Sequence, residues 1–223
     1  MQILVLQYDS TPENPRTWDN LGTMVCWHRR YNLGDSHDFK TPDDFLTWAK
    51  KQDMALLLPL YLLDHGGLRL SLQPFNDPWD SGQVGWVYLT KERLRKEYGV
   101  TRITQETLGK ASAVLTAEVT EYDYYLSGQV YGFQLWAYDE SGVNLLDSCY
   151  GFYGPNSKES GLSDAVPDVF RPHLAEVDLN YEVLVEENGQ VAVLKKRELQ
   201  RRLKRQSPAA WLRFHELENA LAV

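Results

Sequence analysis

The chain has 223 residues, a formal net charge of −8, 43% hydrophobic residues, 12% aromatic residues and two cysteines. That length buries a sizeable core unaided, and two cysteines cannot build the disulfide framework of a secreted mini-scaffold. The composition excludes wholesale disorder, and the most apolar run, the ten residues Met54–Leu63 broken by Pro59, is too short to cross a bilayer as a helix.

The opening MQILVLQYD lacks a basic n-region and a small-residue cleavage site, so no secretory signal is expected. Cys26 and Cys149 read as reduced thiols of a cytoplasmic protein. Residues 1–9 predict a strand, and residues 10–20, with Pro12 and Pro15, a loop. Thr23–His28 is β-branched, aromatic and apolar, hence a strand, and residues 29–40 form a polar loop. Thr41-Pro42-Asp43-Asp44 supplies an N-cap, a proline in the first turn and acids beside the helix dipole, predicting a helix to about Gln52.

Met54–Asp64 and Leu68–Gln73 predict two strands joined by a tight turn at His65-Gly66-Gly67. A loop at 74–82 leads to a strand at 83–89 and a short helix closed by Gly99. Thr104 caps a longer helix in which Leu108, Ala111, Leu115, Val119, Tyr122 and Leu126 share one face. Residues 130–138 and 143–152 predict a hairpin, and 154–180, with three prolines, is irregular. Glu187-Asn188-Gly189 between Tyr181–Glu186 and Gln190–Leu194 is the strongest hairpin signal in the chain. A basic helix at 195–206 and a final helix after Ser207-Pro208, with Trp211, Phe214, Leu217 and Leu221 as its stripe, complete the pattern. Hairpins stand where a doubly wound fold needs crossovers. The expected class is therefore α+β with a mainly antiparallel sheet: an acidic body over 1–180 and a hairpin-helix extension over 181–223.

Charge supports that division. Residues 1–194 hold 15 Lys and Arg against 28 Asp and Glu, a balance of −13, whereas 195–223 hold 8 against 3, a balance of +5. Lys195, Lys196, Arg197, Arg201, Arg202, Lys204 and Arg205 face a single acid, Glu198. Such a helix can bind nucleic-acid phosphate, dock on the acidic body, or stand solvated.

Four segments carry candidate chemistry. His28, Arg29, Arg30, Asp35, His37 and Asp38 cluster in one loop. The nine-residue spacing of the histidines fits no common zinc pattern and the arginines repel a cation, so no metal is expected and an anion or an ion-paired surface suits the loop better. Asp64-His65 offers a carboxylate beside an imidazole, in a setting that equally suits a plain turn. Trp79-Asp80-Ser81 reads as a capped turn with an aromatic lid. Cys149, ending a strand, is a weak nucleophile candidate with His65 and Asp80, provided the fold brings them within about 3 Å. No cofactor is implied.

The segments WDNLGTMVCWHRRYNLGD from Trp18, LPLYLLDHGG from Leu58, PWDSGQVG from Pro78 and DSCYGFYG from Asp147 together resemble a family of small uncharacterised proteins of bacteriophages and other mobile elements. The resemblance spans roughly residues 15–155 and brings no catalytic residues with it. It implies an accessory protein that binds a host protein or nucleoprotein complex, of the anti-CRISPR or anti-restriction kind, without a membrane. The expected binding surface is the 29–38 loop with the Asp64-His65 and Trp79-Asp80 turns. A Cys/His enzyme and nucleic-acid binding by the basic helix are the alternatives.

Overall fold

A computed structural model describes residues 1–139 and 142–206. The final helix expected after Ser207 lies outside the described residues. The class is α+β, with two antiparallel sheets. Among the described residues no helix is long and apolar enough to cross a membrane.

The chain forms two compact units. One joins Met1–Pro12 to Gly128–Val223, and the other is the continuous stretch Glu13–Ser127. The boundary expected near residue 180 does not separate them. Strand β1 (Gln2–Tyr8) lies between β6 (Val130–Asp139) and β8 (Glu182–Glu187), so the C-terminal hairpin completes the sheet that the N-terminus begins.

That sheet has the order β7-β6-β1-β8-β9, with β7 at Gly142–Tyr153 and β9 at Gln190–Lys195. Both faces of β1 are covered. Ile3 and Val5 pack with Leu199 and Leu203 of α5 (Lys196–Gln206), while Leu4 and Leu6 pack with Leu162 of the short α4 (Leu162–Ala165), Val166, Phe170 and Leu174 on the other side. A central strand buried on two faces needs a continuous apolar run, and Ile3–Leu6 supplies it. The β8–β9 turn has positive φ at Asn188 (54°) and Gly189 (82°), the paired left-handed geometry that Asn-Gly tolerates best.

The second unit carries a four-stranded sheet, β2 (Thr23–Cys26), β5 (Ser81–Thr90), β3 (Met54–Asp64) and β4 (Leu68–Ser71), in that spatial order. Helix α3 (Gln105–Leu126) covers one face through Ala111, Leu115, Val119 and Tyr122, packed with Met24, Leu60, Leu62, Leu70, Val87 and Leu89. Helix α1 (Pro42–Ala49) covers the other, where Phe45 and Ala49 meet Val25, Trp86 and Tyr88. Thr41 and Asp44 form the reciprocal capping box of α1. Helix α2 (Lys91–Tyr98) anchors through Leu94. Gly85 is required where β5 crosses β2, because a Cβ there would stand 1.9 Å from the Val25 carbonyl oxygen. Since β2 and β3 both run antiparallel to β5, the ends of β2 and β3 and the start of β5 meet at one edge of the sheet.

Candidate functional site

That edge gathers most of the residues singled out in the sequence. From the end of β2 come Trp27, His28, Arg29 and Arg30, from the end of β3 comes Asp64, and from the β4–β5 loop come Trp79 and Asp80. Together they line a cleft of about 280 Å³. A neighbouring depression of about 600 Å³ is lined by His28, Arg29, Tyr31, Asp35 and His37, among others.

Arg30 donates to Asp64 Oδ2 and lies over the Tyr31 ring, 5.2 Å from its centre. His28 stacks on the same ring at 5.1 Å and nearly parallel, with Nε2 3.8 Å from Asp64. The carboxylate beside the Arg30 guanidinium holds it charged. Arg29 is exposed and borders both depressions. Trp79 is 91% exposed, an unusual position for the largest apolar side chain.

The β3–β4 turn adds a second group. His65 Nδ1 donates to Asp80 Oδ2 at 2.5 Å, and that bond raises the imidazole pKa above its ordinary value. Asp77 Oδ1 accepts the backbone N–H of Trp79 and of Asp80, each at 2.9 Å, and these bonds lower its carboxyl pKa. Ser81 Oγ donates to the Asp77 carbonyl at 2.5 Å, and Asp64 N–H donates to the Asp80 carbonyl at 2.8 Å. The loop is thereby tied to itself and to β3. The sequence pattern predicts no metal ligands, yet the fold places donor atoms of His65, Asp77 and Asp80 within 4.8 Å of one another. Asp77 escapes notice in the sequence because only the fold returns the His65 turn to its side.

Two members of the expected surface have structural duties instead. Asp35 accepts two hydrogen bonds from the buried Arg16 guanidinium, at 2.9 and 2.6 Å, and a third from the Met24 N–H at 2.8 Å, while Arg16 also donates to the Gly22 carbonyl at 2.8 Å. His37 packs on Trp27 with ring centres 4.8 Å apart, and its Nε2 meets the Cys26 carbonyl at 3.1 Å. Both brace the loop from which Arg29 and Arg30 project.

Cys149 sits on β7 in the first unit, whereas His65 and Asp80 belong to the second, so the Cys–His–Asp group is not assembled within either unit. The cysteine of the second unit, Cys26, is buried, and burial pushes its thiol up to about 12. It is therefore a packed thiol, protonated at neutral pH.

The basic helix also divides its cations. Leu199 and Leu203 are fully buried against the sheet. Lys196 is buried with them, and desolvation lowers its pKa, while Arg202 pairs with Glu187. Burial withdraws Lys196 from phosphate, while Arg202 carries its ion pair at a partly exposed position. Lys195, Arg197, Arg201, Lys204 and Arg205 remain exposed. No family model, curated protein or solved structure matches the chain.

Proposed function

We propose that this protein acts by binding a macromolecular partner, with the β2–β3–β5 end of the four-stranded sheet as its recognition surface. The observation that carries this reading is Trp79, 91% exposed on a loop held by the Asp77 and Asp80 hydrogen bonds. A fixed, exposed Trp beside arginines is the kind of feature that dominates protein–protein affinity. Around it, the Arg30–Asp64 pair and the His28–Tyr31 stack form a polar rim. Two nucleophile types at this end of the sheet have structural duties: Cys26 is buried and protonated, and the Ser81 hydroxyl donates to a backbone carbonyl. In the phage setting that the resemblance suggests, the partner is a host defence complex, occupied rather than chemically altered. Affinity capture from a bacterial host tests this with the native chain and Trp79→Ala side by side. The expected result is a reproducible, stoichiometric complex with the first and its loss with the second. Equal recovery by both, or nothing reproducible with either, overturns the reading.

A second reading rests on α5. Arg197, Arg201 and Arg205 recur every four residues, about 6 Å along the axis, on an exposed face. That spacing suits consecutive phosphates. The joint substitution of these three arginines by glutamine would then abolish nucleic-acid binding and its salt dependence. Unchanged binding refutes it.

A further inference from the structure

We propose that His65, Asp77 and Asp80 form a site for a divalent first-row transition-metal ion, with zinc the best-matched occupant. The inference goes beyond the recognition surface and does not depend on it.

The chemistry of the donor set selects the class of ion. One imidazole and two carboxylates give a mixed nitrogen and oxygen set that suits zinc, cobalt and nickel, whereas magnesium and calcium prefer oxygen alone. The two carboxylates also balance the charge of a divalent ion with the imidazole neutral. The donor atoms already lie within 4.8 Å of one another. Ligands of one tetrahedral zinc stand about 3.5 Å apart, at bond lengths of about 2.0–2.2 Å. Small rotations of exposed side chains close that difference, and the His65 and Asp80 side chains are 72% and 42% exposed.

The backbone carrying these ligands is held in place without an ion. Asp77 is fixed by the Trp79 and Asp80 N–H groups, Asp80 through its carbonyl by Asp64, and the Asp77 carbonyl by Ser81. Ion binding therefore replaces the proton that His65 shares with Asp80 and leaves the fold as it stands. Three protein ligands leave a fourth position for an outside donor. Asp80 also lines the 280 Å³ cleft, so a carboxylate, imidazole or hydroxyl lodged there can complete the coordination.

The test is calorimetric titration of the full, untagged chain with zinc chloride, repeated with cobalt(II) to read the visible spectrum of the bound ion. The expected result is one equivalent of zinc per chain, undisturbed by excess magnesium. His65→Ala and Asp80→Asn should each weaken it by at least about tenfold. His173→Ala, remote in sequence from the cluster, should leave it unchanged. Circular dichroism checks that each variant is folded, and Asp77→Asn supplies a third disruption should one of the others fail to fold. Absence of saturable zinc binding by the native chain, or equal binding by native chain and His65→Ala, overturns the proposal.

Discussion

Arg16 is a guanidinium with its side chain only 3% exposed, balanced by Asp35 at 2.6 Å and Glu118 at 3.7 Å. Glu118 in turn accepts the N–H groups of Leu21 and Gly22 at 2.6 and 3.0 Å. Removing one partner strands the other charges in a poorly solvated place. Arg16→Met should therefore cost about 3–5 kcal/mol in a denaturant titration. Trp79→Ala should change stability by less than about 0.5 kcal/mol, because an exposed side chain packs on little. Cys26 and Cys149 should separate by reactivity. One thiol, the exposed Cys149, should react with a disulfide reagent in the native protein, and Cys26 only after unfolding. The linkage of Cys26 has a definite sign. Its folded pKa of about 12 exceeds the ordinary 9.0, so the unfolded chain loses this proton first. Stability from this group should hold below pH 9 and fall as pH climbs toward 12. At this scale the sequence marked the reacting types but not their duties. Asp35 looked like part of an open loop, and only the approach of Arg16 from outside that loop makes it a brace.

Elements were the most legible level, because their signals are local. Thr41-Pro42-Asp43-Asp44 predicted α1 and its cap, and the capping box is present. Thr41→Ala should cost about 1 kcal/mol of stability, measured by thermal unfolding. Asn188-Gly189 predicted the β8–β9 turn, and both residues have positive φ. Gly189→Ala should cost about 1–2 kcal/mol, since φ is 82° there. The α3 stripe also matched its buried face, with one addition. Asp123 is buried, accepting from Arg69 and from the Leu70 N–H at 2.6 Å. A polar residue on an apolar face is invisible to a periodicity argument until its partner strand is known. Strand β7 differs too. Its residues 144–151 are exposed, including Leu145, Leu146 and Tyr150, on the strand that forms the sheet's edge. Such an edge invites pairing, and Asp147 in its middle is a charge of the kind that discourages it.

For the whole molecule, the expected division at residue 180 failed for a topological reason. Charge and hairpin signals along the chain set 181–223 apart, whereas strand pairing binds it to residues 2–4. No local pattern records which distant strand will accept a neighbour. The same distance effect hid Asp77 as the partner of His65 and Asp80, which the sequence had already set together, while the grouping of His28, Arg30, Asp64 and Trp79 followed once the strand ends were aligned. A fragment of residues 13–127 contains a complete sheet with both covering helices, and should unfold cooperatively on heating. A fragment ending at residue 180 removes Val183, Val185, Leu199 and Leu203 from the core of the first unit and opens an edge of β1, and should aggregate or lose that unit. A folded, monomeric 1–180 fragment with its full strand content would contradict this topology. The recognition surface is tested by the dissociation constant of the captured complex, read by titration calorimetry for the native chain and for Trp79→Ala. Removing the indole should weaken binding by at least about 30-fold, the equivalent of a residue worth about 2 kcal/mol at an interface. An unchanged constant, with Trp79→Ala folded as the native chain is, would place the binding surface elsewhere.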